Sequence, residues 1–193
     1  THLINNVLDF SKMDTGRKKY NFVEADLVQV VKSSLEAYKF HIRDNGFEIE
    51  SEFPDEPIIL NIDKDSISQA VLNLLSNAVK FTDDRGEIKV STKLVEKAED
   101  KVIVEFAVKD TGIGMSETVK SRLFEAFTQG DQSNTKQHKG TGLGLVIVKK
   151  LLEMMHGEIT VESKEGQGTT FNIMLTLPYT HNELRQRLDS RLL

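Results

Sequence analysis

The hydrophobic pattern of residues 65–82, DSISQAVLNLLSNAVKFT, predicts an amphipathic α-helix. Its apolar side chains recur at helical spacing and share one face: Ile67, Ala70, Val71, Leu74, Leu75, Ala78 and Val79. A polar stripe follows the opposite edge at steps of four, four and three: Gln69, Asn73, Asn77 and Lys80. Such a stripe is most often a solvated face, but solvated faces are usually rich in Lys and Glu because Asn is a poor helix former. The alternative is a polar ligand, since an asparagine carbonyl can ligate Mg²⁺ and a lysine can meet a phosphate.

Four further helices are predicted from apolar spacing, caps and stop signals. Asp26 caps one of them, with Gln29 in a capping-box-like pattern, and Ser116 caps another. Gly46 and Gly157 are stop signals. These helices cover residues 1–17, 27–45, 117–124 and 145–155.

Alternating apolar residues predict the strands, which form two pairs. Residues 88–94 and 102–108 are predicted to form an antiparallel hairpin around a polar loop, residues 95–101. Residues 158–163 and 169–177 form the second pair. Earlier in the chain the pattern predicts an extended connector, a further strand and a short apolar run: residues 20–25, 47–53 and 57–62. Helices and hairpins in this order fit an α+β, two-layer α/β sandwich, with helices on one face of a mixed or antiparallel sheet.

Composition narrows the function classes. The 193 residues are 28% charged and carry a net charge of −5, which gives no electrostatic reason to expect nucleic acid. There is no cysteine, so disulfides and thiolate metal sites are excluded. No apolar run approaches the ~20 residues of a membrane span. The chain starts in helical sequence without Met, so we expect a fragment of a longer protein.

Two glycine clusters are candidates for ligand contact. Residues 110–114, DTGIG, follow a predicted strand, where the carboxylate of Asp110 could accept a hydrogen bond from the amine of adenine. A tight turn would suit the same residues and is the favoured interpretation when the cluster is taken alone. Residues 140–145, GTGLGL, open a helix whose exposed amides could bind an anion. Neither the Rossmann nor the P-loop spacing is present.

Residues 128–139 contain no apolar side chain and are either an ordinary mobile loop or an active-site lid. Lys149 and Lys150, near the end of the last predicted helix, are expected to be solvated and to complement the helix dipole.

In combination, these motifs resemble the ATP-binding fold of the GHKL superfamily, and within it the catalytic domain of sensor histidine kinases. NLLSNAVKFT resembles their N box, DTGIG and GTGLGL their glycine boxes, LFEAF their F box, and EGQGTTF their closing segment. LINNVLDFSKMDTG resembles the end of their dimerisation and phosphoacceptor hairpin, and TQGDQSNT is similar to hybrid kinases. The resemblance implies three segments: residues 1–18 of the hairpin, the catalytic domain at 19–179 and a helical tail or linker at 180–193.

The resemblance also implies a site for ATP and Mg²⁺. Asn77 would ligate the metal with Asn73 assisting, and Asp110 would read adenine, helped through water by Thr169 or Thr170. Phe124 and Phe127 would anchor the lid. The implied nucleotide-binding residues are Asn73, Asn77, Lys80, Phe81, Asp110, Gly112, Gly114, Met115, Phe124, Phe127, Lys136, Gly140, Thr141, Gly142, Leu143, Gly144, Leu145, Thr169 and Thr170.

Departures from the family pattern refine the expected activity. GHKL ATPases place a glutamate where this chain has Asn73, so water should attack ATP poorly and another nucleophile is expected. Kinases of this family use a histidine followed by an acidic residue and Arg-Thr-Pro, which this sequence lacks. Lys136 stands where the lid usually has an arginine, and a lysine offers no bidentate fork. The histidines are expected at the surface: His2, His41, His138, His156 and His181.

We therefore expect a histidine kinase domain whose acceptor histidine lies outside this fragment. Its partners would be ATP, the hairpin domain and the receiver domain of a response regulator, with no nucleic acid. The fragment is expected to be soluble and cytoplasmic, from a homodimeric parent that could be anchored in a membrane. The alternatives are a GHKL ATPase and a scaffold that binds nucleotide without transferring phosphate.

Overall fold

Five strands form one mixed sheet in the computed structural model, and helices pack against one of its faces. The structure describes residues 2–82, 85–98, 101–126 and 142–178. No helix within those ranges has the length and apolar character needed to cross a membrane. The helices are α1 (His2–Asp14), α2 (Leu27–Asp44), α3 (Lys64–Phe81), α4 (Glu117–Ser121) and α5 (Gly144–Glu153). The strands are β1 (Phe22–Asp26), β2 (Glu48–Glu52), β3 (Ile59–Asp63), β4 (Glu87–Lys97), β5 (Lys101–Asp110), β6 (Gly157–Ser163) and β7 (Thr169–Pro178).

The sheet has the strand order β2-β4-β5-β7-β6. β2 and β4 are parallel, whereas every other neighbouring pair in this sheet is antiparallel. β1 and β3 form a separate antiparallel pair. The predicted α+β, two-layer fold is confirmed, and the sheet is mixed because of the parallel pair.

The core lies between this sheet and helices α2, α3 and α5. β5 and β7 turn every second residue toward the helices, and Phe106 and Ile173 on that side are fully buried. Leu74 and Leu75 of α3 are buried against them. Each such side chain contributes about 1.5–3 kcal/mol when it leaves water. This burial sets the rotation of α3, so its polar edge is left for other contacts.

α3 begins at Lys64, one residue before the predicted start, and Asp63 is its N-cap. Its carboxylate accepts hydrogen bonds from the amides of Ser66, at 2.7 Å, and Asn21. Burial alone would raise the pKa of Asp63, but these hydrogen bonds and the nearby Lys18 ammonium lower it below the ordinary value. The cap therefore also holds the segment before β1 against the start of α3.

The start of α2 is confirmed, but the capping box was wrong. The Asp26 carboxylate accepts from the amides of Val28 and Ile58, each at 3.0 Å. The Gln29 side chain instead donates to the Ser33 hydroxyl at 3.1 Å, one turn further along the helix. The second bond to Asp26 therefore comes from the chain entering β3, which no local pattern indicates.

The predicted connector at residues 20–25 contains a strand. β1 pairs along its whole length with β3, whose Leu60 and Ile62 are fully buried. The short apolar run predicted at residues 57–62 overlaps β3. Pairing with this buried strand, rather than an alternation of apolar residues, therefore makes β1 a strand.

Two other boundaries were wrong. The hairpin loop is shorter than predicted, because β4 continues to Lys97 through a register shift between Leu94 and Glu96. α4 ends at Ser121 instead of residue 124, since the chain tightens there and the Leu123 amide donates to the Lys120 carbonyl at 3.3 Å. Both differences lie where the backbone is solvated and the apolar pattern carries little information.

The end of α5 was also predicted at the wrong residue. The helix ends at Glu153, and His156 adopts a left-handed backbone conformation with φ 52°. Gly157 is therefore the first residue of β6 and not the stop signal. The apolar pattern runs past the helix because Met155, beyond its end, is still buried in the core.

α1 packs on α5 through a small second cluster. Phe10 and Met13 of α1, with Tyr20, cover three buried residues of α5 and its N-terminal cap: Leu143, Ile147 and Leu151. The apolar residues whose spacing predicts α1 include Val7, Leu8 and Phe10; Phe10 lies in this cluster, whereas Val7 and Leu8 are 45% and 50% exposed. The contact with the domain is therefore made by a neighbouring face of the helix.

Replacing Asp26 tests the double role of its carboxylate. Asp26→Ala removes the acceptor of both the helix cap and the Ile58 amide, so we expect the free energy of unfolding to fall by about 1–2 kcal/mol. Urea denaturation measures the change. The matched control is Gln29→Ala, whose exposed bond to Ser33 should matter by less than about 0.5 kcal/mol. Equal losses in the two variants would contradict the assignment and restore the capping box.

Candidate functional site

The polar edge of α3 divides into two parts. Gln69 does not face open space: its amide donates to Asp9 of α1 at 2.9 Å and accepts from Lys18 at 3.2 Å. The solvated or ligand-facing stripe therefore begins one turn later, at Asn73. Sequence spacing placed Gln69 on the correct edge but gave no sign of its partners, which lie about 50–60 residues earlier in the chain.

Asn73 has the chemistry of a ligand contact. Its amide nitrogen is buried and has no hydrogen-bond partner among the described residues. Its carbonyl oxygen points at the start of α5, 3.8 Å from where a Cβ of Gly144 would lie. Leaving a buried donor unsatisfied costs about 1–3 kcal/mol, so a bound group that accepts from it would recover that cost. Asn77 is half-buried one turn further along the same edge.

Lys80 and Phe81 lie at the end of this edge. The Lys80 ammonium is 4.6 Å from the centre of the Phe81 ring, and burial lowers the pKa of Lys80. Phe81 is 38% exposed, which is unusual for so large an apolar side chain. The C-terminal turn of α3 thus presents a positive charge and an aromatic face together.

Asp110 is a buried carboxylate at the end of β5, with 4% of its surface exposed. Burial raises the pKa of Asp110, while hydrogen bonds from the amides of Gly112 (2.9 Å) and Thr169 oppose that rise. Two amides do not fill the four lone-pair positions of a carboxylate. Asp110 can therefore accept a further hydrogen bond from a ligand at this end of the site.

The loop after Asp110 packs against the end of α3. The Ile113 amide donates to the Phe81 carbonyl at 3.0 Å, and a Cβ on Gly112 would lie only 2.1 Å from that same oxygen. Gly114 has φ 66°, and a Cβ added there would lie about as close to the Lys164 carbonyl oxygen. The sequence suggested that these glycines let backbone approach a ligand. Instead, the backbone that comes close is the chain's own: Gly112 packs the loop against the end of α3, and Gly114 packs it against the segment after β6.

Thr169 faces the same side as Asp110, because the two are paired in the register of β5 and β7. Thr170 is paired with Lys109 on the opposite side of the sheet, so the structure does not bring it to the site.

Ser163 was missed by the sequence analysis. Its hydroxyl donates to the Gly168 carbonyl at 2.9 Å and lies 3.0 Å from the Thr169 hydroxyl.

This arrangement decides how Thr169 can act. A serine hydroxyl has one hydrogen, so the bond to the Gly168 carbonyl leaves Thr169 as the donor to Ser163. The remaining lone pairs of the Thr169 hydroxyl can accept from a ligand or water. The predicted hairpin of residues 158–163 and 169–177 could have revealed Ser163, since its closing pair is Ser163 with Thr169.

The start of α5 presents the backbone amides of a helix N-terminus. Leu143 caps the helix, its side chain is 1% exposed, and no side chain among the described residues hydrogen-bonds to this helix end. Gly142 precedes it with φ 69°. Gly144 and Leu145 form the first turn, and a Cβ on Gly144 would meet nothing closer than Asn73. Unlike Gly112, Gly144 is not required by the packing of the chain itself.

The remaining predicted residues lie at the margins. Met115 packs against the main core, and Phe124 is half-buried in the turns after α4, with the Lys149 ammonium 5.8 Å from its ring centre. Lys150 donates to Asp14 at 2.7 Å and lies over the Phe10 ring, so its predicted solvation was wrong.

Several predictions fall outside the described residues. These are Phe127, Lys136, Gly140 and Thr141, together with the lid at residues 128–139 and the leucine-containing tail after residue 180. Among the histidines whose side chains the structure describes, His41 and His156 are exposed, as predicted.

The donor set favours a magnesium ion that arrives with its own anionic ligand. Within the described ranges, no group of three or more His, Asp or Glu side chains is placed to hold a metal. Neutral asparagine oxygens and water suit a Mg²⁺ that keeps phosphate oxygens in its shell. The buried, partnerless amide of Asn73 and the open space at Gly144 fit such a complex.

A buried carboxylate at one end, with asparagines and helix amides at the other, fits the class of nucleotide-binding ATPase domains. The family of "Histidine kinase-, DNA gyrase B-, and HSP90-like ATPase" proteins matches residues 62–181, and the chain belongs to this family. The resemblance seen in the sequence motifs is confirmed.

Histidine kinases are among the proteins of this family that are similar to the chain. The sensor histidine kinase GacS of Pseudomonas protegens is 39% identical over 182 residues, 94% of this chain and 20% of GacS. Hybrid signal transduction histidine kinase B of Dictyostelium discoideum is 33% identical over 97% of this chain and 10% of its own length. The crystal structure of full-length ShkA in complex with AMPPNP superimposes with a TM-score of 0.76 at 30% identity, covering 90% of this chain and 35% of ShkA. The chain thus spans a fifth or less of the length of these two curated relatives.

Asp110 makes the stability of the domain depend on pH. Because burial raises its pKa in the folded state, the folded domain keeps this proton at pH values where the unfolded chain has lost it. Its contribution to the free energy of unfolding therefore falls as pH rises from the ordinary value of about 3.9 through the raised pKa. We expect Asp110→Asn to be more stable than the wild type at pH 7 and the difference to vanish near pH 4.

Urea denaturation of both proteins at several pH values from 4 to 7 measures this difference. Asp63→Asn is the matched control, because the pKa of Asp63 is lowered and its stabilising contribution is lost as pH falls. A wild-type advantage over Asp110→Asn that grows toward pH 7 would show that the carboxylate charge stabilises the fold.

Proposed function

We propose that this domain binds ATP with Mg²⁺ and transfers the γ-phosphate to a histidine on a helical hairpin, from which an aspartate of a response regulator receives it. The observation that carries the proposal is the combination of two features at opposite ends of the site. Asp110 is buried at one end, and at the other the amide nitrogen of Asn73, which has no partner among the described residues, lies beside the start of α5. Both ends are fixed to α3 or its C-terminal turn, so one rigid helix sets their separation.

At the phosphate end, Asn77 ligates Mg²⁺ and Asn73 assists, while the amides of residues 142–145 and the Lys80 ammonium face the phosphates. When bound there, Mg²⁺ would supply positive charge that offsets the charge developing on the phosphates during transfer. Because Lys80 is half-buried, its charge is less screened by water than that of a surface lysine. Phosphoryl transfer consists mostly of such positioning and charge neutralisation.

At the base end, Asp110 accepts a hydrogen bond from the exocyclic amine of adenine. Guanine places a carbonyl oxygen at that position, and two acceptors facing each other in a buried site are unfavourable. Thr169 accepts from the same amine or from a bridging water. Phe81 and Met115 border this end.

Asn73 favours kinase activity over ATP hydrolysis. An asparagine takes no proton at neutral pH, so the site lacks, at this position, a general base for water. ATP would then persist until an imidazole nitrogen is presented to it. The names of the relatives, sensor and hybrid histidine kinases, support this proposal.

The same family likeness supports the remaining parts of the proposal. α1 is the end of the hairpin helix within residues 1–18, the catalytic domain covers residues 19–179, and residues 180–193 form a tail or linker. The hairpin and a receiver domain are the protein partners. The parent is a homodimer, and this part of it works in the cytoplasm.

The activity is tested by supplying a separate histidine-containing hairpin domain with radiolabelled ATP and Mg²⁺. We expect label on the hairpin and at least about tenfold less with Asn77→Asp, since an added charge in place of the metal ligand changes the Mg²⁺ site. Lys64→Ala, at the exposed first residue of the same helix, is the control that keeps the predicted ligands and the contacts of α1. Release of free phosphate without label on the hairpin would indicate an ATPase, and neither product would indicate a scaffold.

A pair of glycine variants separates folding from binding. Gly144→Ala should keep the wild-type free energy of unfolding within about 1 kcal/mol, because its Cβ meets only Asn73. Its affinity for ATP should fall, since the methyl group takes space beside the phosphates. Gly112→Ala should instead lose about 1–3 kcal/mol of stability, because its Cβ collides with the Phe81 carbonyl. Chemical denaturation and ATP titration measure both quantities, and unchanged ATP affinity in Gly144→Ala would remove α5 from the phosphate site.

A further inference from the structure

The nucleotide site is in contact with a second, smaller core. Leu143 belongs to both: its backbone begins α5 at the phosphate end, and its side chain is buried with Phe10, Met13 and Tyr20. Ile147 and Leu151 continue this buried stripe along α5. Without α1 and Tyr20, this side of α5 would be open to water.

Polar contacts hold α1 in the same position. Lys150 of α5 donates to Asp14 at 2.7 Å and places its ammonium 4.9 Å from the centre of the Phe10 ring. On the other side, Gln69 of α3 bonds to both Asp9 and Lys18. α1 and the segment that follows it are therefore tied to both helices that carry the phosphate end of the site.

The ties reach residues next to those proposed to bind nucleotide. Gln69 is one helical turn from Asn73, and Leu143 directly precedes Gly144, the residue that Asn73 faces. No side chain among the described residues caps the start of α5, and the burial of Leu143 is one contact that fixes where its first amides point. The base end has no such tie, because Asp110, Gly112 and Thr169 are held by β5, β7 and the end of α3.

We infer that Phe10, Met13 and Tyr20 are positioning residues for the phosphate end: docking of α1 on α5 and α3 orients the amides of residues 143–145 and raises the affinity for the triphosphate. This inference rests on the proposed function. By linkage, ATP binding must stabilise the docked position of α1 by the same free energy. Changes in the segment that leads into α1 can thus alter ATP affinity without touching the nucleotide.

The test compares Phe10→Ala with Val7→Ala, a control on the exposed face of the same helix. Phe10→Ala should weaken ATP binding about fivefold or more while adenosine, which lacks phosphates, binds as to the wild type. Val7→Ala should change either affinity by less than about twofold. Asp14→Ala, which keeps the apolar cluster, should show a smaller loss in the same direction and serves if Phe10→Ala folds poorly. Equal ATP affinities in Phe10→Ala and Val7→Ala, or equal losses for ATP and adenosine, would overturn the inference.

Hydrogen exchange separates this inference from the proposed function, because the two variants can be compared without nucleotide. The amides of residues 143–147 should exchange faster in Phe10→Ala than in Val7→Ala, and ATP should slow exchange in α1 of the wild type. If the wild type fails to bind ATP, the proposed function is wrong, whatever the exchange data show. If ATP binds and exchange at residues 143–147 is the same in both variants, only the positioning role is wrong.

Discussion

The site depends on one backbone contact, the hydrogen bond from the Ile113 amide to the Phe81 carbonyl. It joins the last turn of α3, which carries the asparagines, to the loop that holds Asp110. Gly112 makes the contact possible, because any side chain there would occupy the position of the Phe81 oxygen. The distance between the buried carboxylate of Asp110 and the asparagines of α3 is thereby fixed before any ligand arrives, which lowers the entropy cost of binding.

The second constraint is that α5 contributes both to the candidate site and to the interface with α1. Its first turn presents backbone amides beside Asn73, while α1 covers the stripe from Leu143 to Leu151. Lys149 lies near Phe124 and Lys150 near Phe10, so two adjacent lysines contact different elements of the chain. Two adjacent charged residues looked like a solvated helix end, yet Lys150 is part of an interface. Side-chain charge alone therefore said little about which surface is free.

Sequence patterns predicted the elements that are periodic and buried. α3, the β4–β5 and β6–β7 pairs and the two-layer class followed from apolar spacing, because one buried face per element imposes that spacing. β1, the second bond of Asp26 and the partners of Gln69 did not follow, since each depends on residues about 30–60 positions away. The site residues were named from motif likeness, but the reason for Gly112 and Gly114 was visible only once the Phe81 and Lys164 carbonyls were placed. The register of the β6–β7 pair would have indicated Ser163, which the sequence analysis missed.

Calorimetric titration of the domain with ATP and GTP, each with and without Mg²⁺, tests the central claim most directly. A buried acceptor at Asp110 and neutral metal ligands on α3 predict binding of ATP that strengthens with Mg²⁺, and binding of GTP at least about tenfold weaker. Equal affinities for ATP and GTP would contradict the role of Asp110. ATP binding that is indifferent to Mg²⁺ would contradict the role of Asn77.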